Sequence, residues 1–243
     1  MTTQARPAFY ALAPGGWRDY ATLLHPPYTL WHLSYVAIGA TLAPHLHPWR
    51  LAATAAAFFL AVGIGAHALD ELNGRPLQTR IPAATLLGLA VVSIAGAVAI
   101  GIAAAIELDL WLLAFVAFGG SIVCVYNLEL FGGRVHSDAW FALAWGGFPL
   151  LTGYFAQAHR IRVEALAAAV FATLLSLAQR RLSTQVRLIR RRVRSVSGTI
   201  ELDDGRREAI TPETLRGAPE AALRLLAAST LALATALLVL RLV

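Results

Sequence analysis

The composition of this 243-residue chain excludes an ordinary soluble domain. Hydrophobic residues make up 58% of it and charged residues only 14%, with a mean hydropathy of +0.62, whereas soluble domains carry about 25% charged residues. The formal net charge is +6, and every basic side chain is arginine, which excludes lysine Schiff-base and P-loop chemistry. The single cysteine, Cys124, has no intrachain partner, so disulfides and cysteine zinc sites are excluded too. We expect one membrane domain, residues 1–243.

Seven apolar blocks predict seven membrane-spanning helices. A helix needs roughly 20 apolar residues to cross a hydrocarbon core about 30 Å thick. The expected fold is therefore all-α, a polytopic membrane bundle of about seven transmembrane helices. The blocks cover residues 27–45, 50–70, 82–105, 109–129, 139–157, 163–181 and 220–240.

The arginines predict the orientation of this bundle, because cytoplasmic loops of membrane proteins are enriched in positive charge. With the N-terminus inside, 15 arginines fall on the cytoplasmic side and 4 on the other side. We expect an integral, multi-pass membrane protein with a cytoplasmic N-terminus. Residues 1–26 lack the pattern of a signal peptide and are expected at the interface, with Trp17 and Tyr20 at headgroup level.

The longest connection, residues 182–218, is a cytoplasmic loop rich in arginine. Its first part repeats apolar residues at helical spacing, which predicts that the sixth helix continues along the interface with an arginine-covered face. The turn residues 203–205 predict a small β-hairpin. Thr211 followed by Pro212 predicts the N-terminus of the last helix.

Ionisable residues gather at the cytoplasmic ends of the helices. Such residues are costly to keep in a membrane, so each marks a functional site or a buried pair. On the other side, His45, His47, Glu107, Asp109 and His159 are isolated in the sequence. The cytoplasmic residues form three groups, at 67–76, at 126–138 and from 179 onwards.

The first group suggests a metal site. His67, Asp70 and Glu71 are spaced i, i+3 and i+4, which places them on one helical face. Carboxylates suit Mg²⁺, and imidazole suits a transition metal. The alternative is structural, with Asp70 and Glu71 pairing with Arg75 or Arg80 at the interface.

The second and third groups each allow two interpretations. Arg134, His136 and Asp138 are either site residues or a loop network in which Asp138 caps the fifth helix. The arginines at the end of the sixth block either grip a phosphate in bidentate fashion or bind anionic lipid headgroups. The phosphate-ligand candidates are Arg180, Arg181 and Arg187.

The order of these motifs resembles the UbiA superfamily of intramembrane prenyltransferases. Asp70 stands at one position of the Asp motif that follows the second helix in that family, with His67 in place of another Asp. Arg75-Pro76 resembles the Arg-Pro that follows this motif. Tyr126 resembles a tyrosine of the fourth helix, and Gly153-Tyr154 the Gly-Tyr that ends the fifth.

The resemblance implies that a prenyl diphosphate or polyprenyl phosphate is bound through Mg²⁺ and that its chain is transferred to an acceptor. Two features depart from the family. No carboxylate lies between Glu164 and Glu201, where the second Asp motif is expected, and the family usually has nine helices.

The resulting functional hypothesis is a membrane transferase of a prenyl or polyprenyl-phosphate group. Mg²⁺ is expected at Asp70 and Glu71, and the catalytic candidates are His67, Asp70 and Asp138, of which His67 and Asp138 are the candidate bases. Expected partners are an isoprenoid or other lipid substrate and membrane lipids, without nucleic acid. Two alternatives stay open: an inert lipid-binding protein of the same fold, and a His/carboxylate metal-dependent hydrolase or oxidase. The substrate-binding candidates are Arg75, Tyr126, Asn127, Arg134, His136, Tyr154, Arg180, Arg181 and Arg187.

Overall fold

A computed structural model describes residues 6–243 and shows a predominantly helical chain with one small hairpin. The seven long helices after α1 coincide with the seven apolar blocks of the sequence. A short 3₁₀ turn, Phe131–Gly133, precedes α6. The helices are α1 (Trp17–Leu23), α2 (Pro26–Leu42), α3 (Pro48–Leu72), α4 (Ala83–Glu107), α5 (Leu112–Asn127), α6 (138–158), α7 (Val163–Arg192) and α8 (Pro212–Leu242), and the strands are β1 (Thr199–Glu201) and β2 (Arg207–Ala209).

Helices α2 to α8 alternate in direction, so their ends form two faces. At the face that holds the N-terminal segment, Asn73 Nδ2 after α3 donates to the carbonyl of Asn127 at the end of α5, at 3.2 Å. At the opposite face, Arg241 near the end of α8 donates to the carbonyl of Ala43 after α2, at 2.6 Å. These ends are called the N-terminal face and the opposite face below.

Within residues 6–243, four helices are long and apolar enough to cross a membrane: α3, α4, α7 and α8. Helix α4 exposes large apolar side chains, such as Val92 and Ile106, which are 72% and 73% exposed. The chain is therefore consistent with a membrane protein.

Glycines allow α6 to pack directly against its neighbours. A Cβ on Gly153 would lie 2.3 Å from the carbonyl oxygen of Val36 in α2, and a Cβ on Gly39 would lie 2.0 Å from that of Leu150. Towards α7, a Cβ on Gly146 would lie 2.5 Å from the Ala172 carbonyl oxygen. Since no side chain fits at these crossings, α2, α6 and α7 meet backbone to backbone and form the centre of the bundle.

Two π-helical segments interrupt the helices, Phe59–Ala66 in α3 and Leu143–Gly147 in α6. Pro149 has no N–H, so the carbonyl of Trp145 four residues earlier loses its helical donor. His32 Nδ1 bonds to this carbonyl at 2.8 Å. His32 therefore connects α2 to the irregular part of α6 and has a structural role.

The arginine-rich connection folds as its sequence predicts. Helix α7 continues to Arg192, and β1 pairs antiparallel with β2, with Thr199 opposite Ala209. Thr211 caps α8: its side chain accepts from the Thr214 N–H at 3.2 Å, and Pro212 begins the helix.

Candidate functional site

A cluster of polar side chains lies at the N-terminal face, where the ends of α2, α3 and α7 meet. Asp70 belongs to the last turns of α3, and Arg187 and Arg191 lie one turn apart on α7. Both guanidinium charges act on the Asp70 carboxylate, yet neither arginine forms an ion pair with it. The three charged groups are therefore neighbours without forming an ion pair. We call His25, His67, Asp70, Arg187 and Arg191, with Tyr10 and Tyr28 beside them, the polar cluster.

Two histidines form one side of the polar cluster. The rings of His25 and His67 stack with their centroids 4.0 Å apart and their planes 13° apart. His67 Nδ1 bonds to the carbonyl of Gly63 in the π-helical segment at 3.1 Å. His25 Nε2 is buried without a hydrogen-bond partner among residues 6–243. Burial, and then the neighbouring charge of His67, lower the pKa of His25 well below its usual range, so this imidazole is neutral at pH 7.

His25 also has a strained backbone. It precedes α2 with φ 45° and ψ 56°, in the left-handed region that residues other than glycine rarely adopt. Pro26 and Pro27 follow it and fix the start of α2. Such strain persists only where the surrounding structure imposes it, and it concentrates at functional sites.

The N-terminal segment covers the polar cluster. Tyr10 packs on His25 with ring centroids 5.3 Å apart. Arg190 and Arg191 donate to the carbonyls of Arg6 and Pro7, at 3.0 and 3.2 Å. Helix α7 thus holds this segment in place with the same row of arginines that reaches the cluster.

Glu71 has a structural role in the loop after α3. Its side chain is 0% exposed. Oε2 accepts from the Leu77 N–H at 2.9 Å, and Oε1 accepts from the N–H and the hydroxyl of Thr79 at 2.8 and 2.9 Å. Both oxygens are thus engaged by the loop, which leaves Asp70 as the free carboxylate. The alternative in which Asp70 and Glu71 pair with Arg75 or Arg80 is not seen either, because the structure shows no ion pair between these carboxylates and these arginines.

A second network lies beside the polar cluster. Asp138 bridges Arg180 and Arg181, with N–O distances of 3.2 and 3.1 Å. Arg180 Nη2 lies 3.4 Å from His136 Nε2, and the His136 ring stacks on Tyr126 at 4.3 Å. The structure thus brings together five predicted site residues. Arg181 is 74% exposed, so it contributes less to an enclosed site than Arg180, which is 16% exposed.

The predicted cap of the fifth membrane block is corrected by one residue. Ser137, not Asp138, is the N-cap of α6, and its hydroxyl accepts from the Trp140 N–H at 3.3 Å. Asp138 is the first helical residue and points its carboxylate at α7. Serine and aspartate are both good caps, so the sequence pattern alone does not separate them.

Four other candidates do not join the polar cluster: Arg75, Asn127, Arg134 and Tyr154. Arg75 donates to the carbonyls of Thr79 and Ile81 and stabilises the loop. Asn127 bonds back to Val123 O at 2.7 Å in its own helix, and Arg134 is exposed.

Tyr154, the fourth of these candidates, is farthest along α6 from the polar cluster. It lies near the opposite face, where its hydroxyl donates to Glu164 Oε1 at 2.7 Å. Its motif resembled a family tyrosine, but its position two turns past the π-helical segment takes it away from the N-terminal face.

The cluster does not fit a Mg²⁺ ion. Within residues 6–243, no three His, Cys, Asp or Glu side chains are arranged to hold a metal ion. Mg²⁺ prefers carboxylate and phosphate oxygens, whereas Asp70 is accompanied here by two arginines and two histidines. This donor set suits an anion better than a divalent cation.

The sequence did not point to several residues of this site. Tyr10 reaches the cluster through the folded N-terminal segment, whereas His25 and Tyr28 lie at the start of α2. Arg191 was one of many arginines, with no signal that singled it out. At the opposite face, Asp109 and His159 are not isolated, since His159 Nδ1 lies 3.7 Å from Asp109 Oδ2.

A scan against protein-family models and searches of curated proteins and of solved structures found no match to this chain.

Proposed function

We propose that the chain crosses the membrane seven times, with the N-terminal face in the cytoplasm, in a UbiA-like arrangement. The support is the alternation of α2 to α8 and the arginine asymmetry between the two faces. Helix α5, with 16 residues, is just below the range of lengths that span a bilayer, and α2, with 17 residues, is at its short end. The central position of α2 among the other helices compensates for its length, because nearly all of its surface contacts protein.

This topology predicts the outcome of cysteine labelling. In a Cys124→Ser background, Asn73→Cys and Asp203→Cys should react with a membrane-impermeant maleimide from the cytoplasmic side only. Arg160→Cys, on the opposite face, should react from the external side only. Reaction of Asn73→Cys and Asp203→Cys from opposite sides would contradict the layout.

We propose further that the polar cluster binds the phosphate of a prenyl or polyprenyl phosphate. The observation that carries this proposal is the pair Arg187 and Arg191, which lie near Asp70 and have no carboxylate salt bridge among residues 6–243. Arg187 donates to the hydroxyls of Ser183 and Thr184, and Arg191 donates to the Pro7 carbonyl. Both positive charges therefore lack a negative partner within this part of the chain. Arginine is the residue best suited to bidentate phosphate binding. With the His25 imidazole neutral, the cluster has an excess of positive charge that an anion would neutralise.

The proposed reaction is transfer of the prenyl chain to an acceptor. Arg187 and Arg191, with Arg180 behind them, would stabilise the charge that develops on the leaving phosphate, the effect that usually contributes most to catalysis. Asp70, His67 and His25 would accept the acceptor's proton or orient it. The cover formed by the N-terminal segment would exclude water, which would otherwise compete as acceptor.

Turnover of variants tests this proposal. Asp70→Asn keeps the shape and loses the charge, so it should abolish transfer from a panel of prenyl donors while the protein folds. Arg187→Gln should weaken donor binding at least tenfold, or about 1.4 kcal/mol. Arg192→Gln is the matched control, because Arg192 is exposed on the same helix. Normal turnover by Asp70→Asn would refute the catalytic role.

The second candidate is an inert lipid-binding protein of the same fold. It is favoured by the missing second Asp motif, since no carboxylate lies between Glu164 and Glu201. The metal-dependent hydrolase or oxidase gains no support, because no three His, Cys, Asp or Glu side chains within residues 6–243 group together to hold a metal ion. If wild-type protein retains an isoprenoid without turning it over, and Asp70→Asn retains it equally, the inert function is the correct one.

A further inference from the structure

A half-open apolar cleft runs along α3, α4, α5 and α6 on the lipid-facing side of the bundle. It holds about 980 Å³ of empty space, its open side included. Small residues leave this space free, among them Ala53, Ala57 and Ala61 on α3 and Ala97 on α4. The cleft follows α3 from Trp49 to Val62, a length of about 20 Å at 1.5 Å per residue. This length exceeds the ~15 Å depth of the hydrocarbon layer of one leaflet.

The cleft ends at the opposite face beside Arg50. Nη1 of Arg50 donates to the Gln157 carbonyl at 3.2 Å and lies 2.7 Å from His159 Nε2. Since a guanidinium only donates, His159 Nε2 accepts, and the ring proton is on Nδ1, which faces Asp109. The series of side-chain contacts from Asp109 through His159 to Arg50 therefore orients the guanidinium at the mouth of the cleft.

The other edge of the Arg50 guanidinium is free. Nε is buried without a partner, and Nη2 makes no hydrogen bond to any part of the chain between residues 6 and 243. Nε–H and Nη2–H lie side by side, which is the edge that grips a phosphate or carboxylate in bidentate fashion. Arg50 also forms no ion pair with any carboxylate in this part of the chain. The guanidinium carbon also lies 5.6 Å from the centre of the Trp49 ring. A buried donor and a charge without a carboxylate partner favour the binding of an anion at this end of the cleft.

We infer that this cleft binds an anionic phospholipid, with an acyl chain along α3 and the phosphate on the free edge of Arg50. The apolar walls of the cleft match the acyl chain of such a lipid, and Arg50 at one end of the cleft matches its phosphate. This site is separate from the polar cluster, lies at the other face, and depends only on the protein's being in a membrane.

Native mass spectrometry in detergent micelles tests the inference, with phosphatidylglycerol and phosphatidylcholine of the same chain length as probes. Wild-type protein should retain one phosphatidylglycerol at least tenfold more tightly than phosphatidylcholine. Arg50→Gln should lose that preference, whereas Arg160→Gln, an exposed arginine of the same face, should keep it.

A second variant keeps the test valid if Arg50→Gln destabilises the end of α6. Ala97→Phe fills the cleft without touching Arg50 and should weaken binding of both lipids about tenfold. Ala99→Phe, which is exposed on the same helix and outside the cleft, should not. Equal binding of the two lipids by wild-type protein, no difference between Ala97→Phe and Ala99→Phe, or displacement of phosphatidylglycerol by equimolar palmitate would overturn the inference.

Discussion

Gly153→Ala is expected to destabilise the folded protein by about 3 kcal/mol or more, near the upper end of overpacking costs. The new Cβ would lie 2.3 Å from the carbonyl oxygen of Val36, well inside van der Waals contact. Neither partner can yield by rotating a side chain, because the clash is with backbone. Helices α2 and α6 would have to separate at the centre of the bundle, and their packing would be lost along several turns.

The matched control is the same substitution at Gly88 in α4. A Cβ there meets nothing within 4 Å, and alanine in a helix is favoured over glycine by up to about 1 kcal/mol. Thermal unfolding in detergent, followed by circular dichroism, should show a lowered midpoint for Gly153→Ala and an unchanged or raised one for Gly88→Ala. Equal midpoints would show that α2 and α6 do not cross at these glycines.

Glu71→Ala is expected to cost at least about 3 kcal/mol of folding free energy, because two buried N–H groups and a hydroxyl lose their acceptor, at about 1–3 kcal/mol for each group. The effect should concentrate in the loop after α3, where amide hydrogen exchange of residues 75–81 should rise sharply. Glu107→Ala is the control, since Glu107 is exposed near the end of α4 and makes no side-chain hydrogen bond.

The Glu71 experiment also separates the structural role from the metal-ligand hypothesis. If Glu71 held a cation, its loss would lower metal affinity and leave the stability of the metal-free protein nearly unchanged. If it holds the loop, the metal-free protein is destabilised. Wild-type exchange rates in residues 75–81 of Glu71→Ala would contradict the structural role.

The sequence predicted the helices well because length and apolar content determine them. The helical extension to Arg192, the hairpin and the Thr211 cap also followed from local patterns, which depend on neighbouring residues only. The seven apolar blocks all became helices, since each carries a continuous run that is stable in that conformation. Crossing of the membrane by all seven remains a prediction.

The candidate site was predicted less completely, because its members meet through tertiary structure. Asp70 and His67 were found from their helical spacing. Nothing in the sequence shows that the carboxylate of Glu71, the next residue, binds the loop after α3 and does not belong to the site. His25 comes to His67 only because two prolines fix the start of α2. Arg50 reaches His159 across more than a hundred residues, which no local pattern reports.

The central claim is that arginines, without a bound metal, hold the phosphate of a lipid at the polar cluster. Equilibrium binding of a polyprenyl phosphate to the purified protein in excess EDTA tests it most directly. Wild-type protein and Arg192→Gln should bind alike, and the double variant Arg187→Gln/Arg191→Gln should bind at least tenfold more weakly. Binding that vanishes in EDTA for wild-type protein, or that survives in the double variant, would contradict the claim.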